Sequence, residues 1–239
     1  MLRLRVKAPF AAFRSFSAGA YRPTVPFMTP SAAYGLLLNV AAIETRRDDG
    51  KSPMTVTATG LPTAEIALGA VRLPSVQTVY QQLHNYPVGD SPTTKAQAER
   101  TGGRGHKFNI QPIRREYLAD LDAYVCLRGN GELEERVRAG LREGAGYAPE
   151  GKMRYGVPFL GDNSFTLSVL KEEVGEPQAA HWFVQATREQ GARVPNPCRL
   201  TVWIDRASSA KTVVRLYGRE ETAQMEPPDG AWTAIRPPA

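Results

Sequence analysis

The 239-residue chain has little of what metal chemistry uses. It holds two cysteines, Cys126 and Cys198, and three histidines, His84, His106 and His181. Two isolated thiols cannot build a disulfide framework or a cysteine-rich zinc site, and the histidines stand far apart along the chain. We therefore assign no metal and no cofactor, and expect a reducing, cytoplasmic setting. Phosphate-loop, nucleophile-elbow and HExxH patterns are missing. The one glycine-rich run, Gly102-Gly103-Arg104-Gly105, lacks both the Gly-Lys-Ser/Thr ending and a strand-to-helix setting. The longest stretch without a charge, residues 23–43, is broken by Pro26 and Pro30. Its apolar part is too short to span a bilayer, so no membrane partner is expected. Charges at Arg3, Arg5, Lys7 and Arg14 fall where a secretory leader would carry its apolar run. No internal repeat stands out.

Acid is also missing at the start, where the first carboxylate is Glu44. The net charge of +6 is accordingly one-sided. Residues 1–116 hold 15 Lys and Arg against 7 Asp and Glu, a net of +8; residues 117–239 hold 15 against 17, a net of −2. Such a balance favours an anionic partner, nucleic acid first. Hydrophobic residues at 42% and charged residues at 23% exclude chain-wide disorder and allow a sizeable core.

Residues 2–7 read Leu-Arg-Leu-Arg-Val-Lys, a strand with one apolar and one basic face. The basic face is either solvated, protecting a sheet edge, or turned toward phosphate. A long aromatic loop follows over residues 10–30. Thr29-Pro30 then reads as an N-cap and first helical position, opening a buried helix to about residue 44. Strands are expected over 54–58 and 65–73. Residues 93–115 hold six Lys and Arg, one acid and His106 among glycines, which suggests a protruding hairpin or a linker. A strand over 120–128 and a helix over 132–143 follow, the latter with Leu133, Val137 and Leu141 on one stripe. Residues 147–163 form a second loop. Strands are expected over 165–170 and 180–185, a hairpin over 201–204 and 212–217, and a proline-rich tail or docking segment at the end. Strand, helix, strand, excursion, strand, helix, strand is the order of a ferredoxin-like unit. The expected class is α+β: a ferredoxin-like domain over 1–170 with an insertion at about 75–115, then a β-rich extension over 171–239.

Acid–base chemistry has one place to occur. His106-Lys107, with Tyr34 as third partner, could serve a metal-free ribonuclease; the simpler role is phosphate contact. Phe13, Phe16, Tyr21, Tyr80, Tyr86 and Phe108 lie in the basic half and are candidates for base stacking or for packing.

Two segments carry a resemblance. Residues 10–40, FAAFRSFSAGAYRPTVPFMTPSAAYGLLLNV, and residues 154–165, RYGVPFLGDNSF, resemble the CRISPR-associated RAMP proteins of Cas family five, most nearly the DevS-like, type I-B-related branch. The resemblance implies a ferredoxin-like domain with a long β-hairpin thumb over about 75–115. It implies a subunit of the Cascade complex that caps the 5′ handle of crRNA. Neighbours would be a backbone subunit of Cas family seven and a large subunit of Cas family eight, with target DNA reached through the complex. The RNA-binding candidates are then Arg14, Tyr21, Arg22, Ser31 and Tyr34 in the first loop and helix start. His84, Arg104, His106 and Lys107 join them from the thumb, and Arg154, Tyr155 and Asn163 from the second loop. No catalytic residue is assigned on this reading. In a related branch the family-five protein processes precursor RNA with a Tyr/Lys/His constellation. This chain offers Tyr34, His106 and Lys107, with the last two in the order His-Lys. A metal-independent endoribonuclease is therefore the alternative, and a protein-only scaffold a third.

Overall fold

Alternating apolar residues build the centre of the molecule. A computed structural model describes residues 1–14, 20–50, 55–84, 110–143, 157–162, 164–187, 189, 193–206 and 208–237. Along them run β1 (Leu2–Ala11), β2 (Tyr21–Arg22), α1 (Pro30–Val40), β3 (Arg46–Arg47), β4 (Val56–Thr57), β5 (Ala64–Arg72), β6 (Ser75–His84) and β7 (Ile110–Arg128). Then come α2 (Gly131–Glu143), β8 (Val169–Glu172), β9 (His181–Gln185), β10 (Cys198–Trp203), β11 (Val213–Arg219) and β12 (Thr233–Ile235). The heart of the sheet is the antiparallel series β8–β1–β7–β5, with Leu2 opposite Leu127 and Leu68 opposite Val125. A helix follows β1 and another follows β7, so this is the ferredoxin-like arrangement expected from the order of elements.

One face of the sheet carries the helices. Leu2, Leu4, Val6, Ile66, Leu68, Val125 and Leu127 pack there with Leu37 and Val40 of α1 and Leu133 and Val137 of α2. Burying each such side chain stabilises the fold by about 1.5–3 kcal/mol. The α1 start is as expected: Thr29 Oγ1 accepts the Ala32 N–H at 3.2 Å, and Pro30 takes the first helical position. Its end comes earlier than the expected residue 44. Ala42 adopts φ 53°, its N–H reaches the Asn39 carbonyl, and the Ile43 N–H reaches that of Leu38. This closing pair of bonds stops the helix at Val40.

The other face is closed by C-terminal segments. Arg5 of β1, Tyr124 of β7, Gly69 of β5 and Trp182 of β9 lie on one rung. Gly69 has no side chain, so the Trp182 ring lies over it; a Cβ there would meet that ring at 2.9 Å. Trp182 stacks toward Tyr124 at 6.3 Å, and its Nε1 donates to the Gln224 carbonyl at 3.0 Å.

Two of the three cations on the basic face of β1 therefore face neither solvent nor phosphate, while Lys7 at its end stays partly exposed. Arg3 and Arg5 are only 7% and 5% exposed. Arg5 donates from Nε and Nη2 to Asp122 at 2.5 and 2.8 Å, and to the Tyr124 hydroxyl and Gln178. Arg3 pairs with Glu226 at 2.5 Å, and Lys7 lies 3.2 Å from Asp122. Burial opposes ionisation of Asp122, but the Arg5 and Lys7 hydrogen bonds outweigh it and hold its carboxyl below the usual range.

Strands from both sides of residue 170 share this sheet. β8 pairs with β1, β9 and β12 pair with β5, and β10–β11 form the expected hairpin with a bulge at Val202. The proline-rich end docks through β12 instead of trailing free. The strand expected over 165–170 starts only at Val169. The backbone before it is engaged in a loop, with the Phe165 N–H on the Asp162 carbonyl and the Leu160 N–H on that of Phe165.

The insertion expected at about 75–115 begins and ends as a hairpin. β6 pairs antiparallel with β7 from Ser75–Ala119 to His84–Ile110. Positions 75–82 of β6 are exposed on both faces, as in an arm that leaves the body. Asp120 takes φ 60° where the arm meets the sheet, which brings Leu118 and Leu121 into the same core.

Candidate nucleic-acid interface

Three segments meet at the base of the arm. The first is the loop after β1. Its Ala12 N–H donates to the Leu160 carbonyl at 3.0 Å, Phe13 and Val25 share a backbone bond, and β2 then runs parallel to β7 at Arg114 and Arg115. The second is the arm base itself. The third is the loop of residues 157–165. Gly161 there has φ 81°, and a Cβ on it would lie 1.5 Å from the Ala12 carbonyl oxygen, so only glycine allows this approach.

Alternation along β7 splits its cations between two faces. On one, Arg114 lies 5.0 Å over the Tyr21 ring and 3.7 Å from Glu116, and the Tyr21 hydroxyl donates to Glu116 at 2.5 Å. That hydrogen bond raises the Tyr21 pKa. On the other, Arg115 pairs with Asp162 and lies 5.1 Å over the Phe165 ring. Burial opposes the Asp162 charge, while hydrogen bonds from Ser164 and Arg115 prevail and hold its carboxyl low. Phe10 meets Tyr117 edge-on at 5.4 Å and Phe165 at 6.0 Å, and Phe10 remains exposed. Guanidinium groups thus alternate with aromatic rings, a chemistry suited to phosphates and unstacked bases.

The structure brings Arg14, Tyr21 and Arg22 to this surface. Arg14 is exposed and bridges Thr24; Arg22 is half-buried on β2. Ser31 sits in the first turn of α1, its hydroxyl 3.0 Å from that of Thr29. His84 ends β6, where its backbone pairs with Ile110. Arg104, His106, Lys107, Arg154, Tyr155 and Asn163 lie outside the described residues. Tyr34 is corrected to a packing residue. It is 4% exposed, its hydroxyl donates to the Pro62 carbonyl at 2.6 Å, and burial pushes its pKa up. A phenol so engaged is a poor proton acceptor and a poor surface contact. Phe13 is likewise core. Sequence reasoning passed over Phe10, Arg114, Arg115, Glu116, Asp162 and Phe165 as site residues. The signal was present in Arg114-Arg115, since adjacent cations on a strand serve both of its faces. Among the described residues, no group of three or more His, Cys, Asp and Glu is placed to hold a metal, and no helix is long and apolar enough to cross a membrane.

The fold and this surface together define a ferredoxin-like protein with an inserted hairpin arm and a cationic, aromatic arm base. Residues 1–148 match the family described as CRISPR-associated protein (Cas_Cas5), and the chain belongs to that family. Two solved structures are similar to it. One is titled "CRISPR RNA-guided surveillance complex": 14% identical, TM-score 0.57, covering 96% of this chain and 95% of that one. The other is titled "Crystal structure of Cas protein": 14% identical, TM-score 0.50, covering 92% and 93%. A comparison with curated proteins gives no match.

Proposed function

We propose that this chain is a subunit of a CRISPR RNA-guided surveillance complex and holds the 5′ handle of the crRNA across the base of its arm. The observation that carries the reading is the meeting of the first loop, β7 and the 157–165 loop at the arm base, where cations and aromatic rings line both faces of β7. Cations there neutralise phosphates and rings stack on splayed bases. The sheet face that recognition-motif proteins use is closed here by Trp182 and the segments beside it, which supports binding at the arm. Arg14, Tyr21, Arg22 and Ser31 contact the handle, with Arg104, His106, Lys107, Arg154, Tyr155 and Asn163 extending the contact. The role is binding, and cutting is left to another protein. The near-neutral second half turns toward protein neighbours, a backbone subunit of Cas family seven and a large subunit of Cas family eight.

Fluorescence anisotropy in EDTA tests this, with handle-bearing RNA against a scrambled RNA of equal length over a range of salt. Preferential binding of the handle, with RNA recovered intact, is the expected result. Equal binding of the two RNAs overturns it, and clean cleavage at one site replaces it with the endoribonuclease.

A further inference from the structure

We infer that Tyr80, Arg114 and Tyr21 form a stacking site for one unpaired nucleobase of the bound RNA, an inference that rests on the handle-binding reading. Tyr80 on β6 stands directly opposite Arg114 on β7, and Arg114 is level with Tyr21 on β2. Side chains in register across neighbouring strands leave the same face, so the rung reads phenol, guanidinium, phenol. Strands about 4.8 Å apart make it about 10 Å wide, the reach of one nucleoside.

Two members of the rung are held and one is free. Glu116 accepts from the Tyr21 hydroxyl and the Thr24 N–H, and lies 3.7 Å from Arg114, which itself covers the Tyr21 ring. Glu116 is thus a positioning residue: its carboxylate is turned inward and fixes the two inner members. Tyr80 is 75% exposed, and no ring or hydrogen-bond partner among the described residues holds it. A fixed cation and ring beside an open ring offer flat surfaces on which a base stacks, with positive charge for its phosphate. Glu116 divides its carboxylate between Arg114, the Tyr21 hydroxyl and the Thr24 N–H, and a purely apolar peptide would add no further anion to the exposed guanidinium. Stacking of this kind tolerates any base but not a missing one.

The test is an abasic scan along handle-bearing RNA with the full chain. One abasic position is expected to weaken wild-type binding about tenfold. Tyr80→Ala is expected to bind that abasic RNA and the intact RNA alike, Tyr80→Phe to keep wild-type affinity, and both variants to unfold at the wild-type temperature. Intact RNA bound equally by Tyr80→Ala and wild type overturns the proposal. So does a Tyr80→Ala loss that adds to every abasic position, or a loss confined to assembly with a protein subunit. Failure of the handle-binding reading looks different: the wild type then ignores the handle sequence, while Tyr80→Ala still weakens its binding to any single-stranded RNA.

Discussion

Two groups of cations in this chain start from similar sequence and end in opposite environments. Arg3 and Arg5 alternate along β1, and Arg22 and Arg114 lie on β2 and β7 at the arm base. In β1, Arg3 and Arg5 are buried and matched by Glu226 and Asp122. At the arm base, Arg114 and Arg22 keep solvent access, and the carboxylate 3.7 Å from Arg114, that of Glu116, is shared with the Tyr21 hydroxyl and the Thr24 N–H. The difference lies in what covers each face. The C-terminal segments bring Gln178, Trp182 and Glu226 across β1, whereas the arm projects beyond them. Positive charge in the first half of the chain is therefore of two kinds: one part holds the fold together, and the other is available to an anion.

The largest test of that division is Arg5→Met. Removing one member of a buried ion pair leaves Asp122 with Lys7 alone, which costs about 3–5 kcal/mol. Denaturant titration is expected to show that loss, while Arg5→Met/Asp122→Leu recovers most of it. The pH dependence follows from the lowered Asp122 pKa. A carboxyl held below its unfolded value contributes stability above that value and loses it as pH falls through the folded value. The gap between wild type and Arg5→Met is thus widest at neutral pH and closes below about pH 4. RNA affinity of the folded variant is expected to stay at the wild-type level. A large loss of RNA binding at unchanged stability would place β1 in the interface.

The second test is Gly69→Ala. The added methyl meets the Trp182 ring at 2.9 Å and must push it off Tyr124, a cost of about 1–3 kcal/mol. Thermal unfolding is expected several degrees lower, with the arm base unaffected. An unchanged midpoint would mean that the covering of the sheet face contributes little.

How much of this was legible depended on how far apart the partners lie. Thr29-Pro30 gave the start of α1 because cap and helix are neighbours. The order of strands and helices gave the ferredoxin-like core, and the run of cations and glycines gave the arm. The fate of Arg3 and Arg5 was not legible, since Asp122, Gln178 and Glu226 are 117, 173 and 223 residues from their partners. Tyr34 resembled a site residue because its motif is distinctive, but it sits on the apolar side of a buried helix, where packing decides. Arg114 was hidden in a stretch read as irregular. Pro112 breaks the strand pattern there, and β7 runs through it because its partner on the arm is exposed β6.

The smallest effects separate the arm base from the rest of the surface. Arg22→Ala removes one half-buried cation that has no ion-pair partner of the Asp122 kind among the described residues, so stability should shift by no more than about 0.5 kcal/mol. RNA binding should weaken, and the slope of log affinity against log salt should flatten by about 0.7, the share of one phosphate on a single strand. Lys211→Ala also removes an exposed cation, but from the short helical turn between β10 and β11. If the comparison holds, that variant leaves both stability and salt slope at wild-type values. Equal flattening by the two variants would mean that RNA feels only net charge. The distinction between a bound anion and a diffuse one rests on Arg22 having an effect that Lys211 does not.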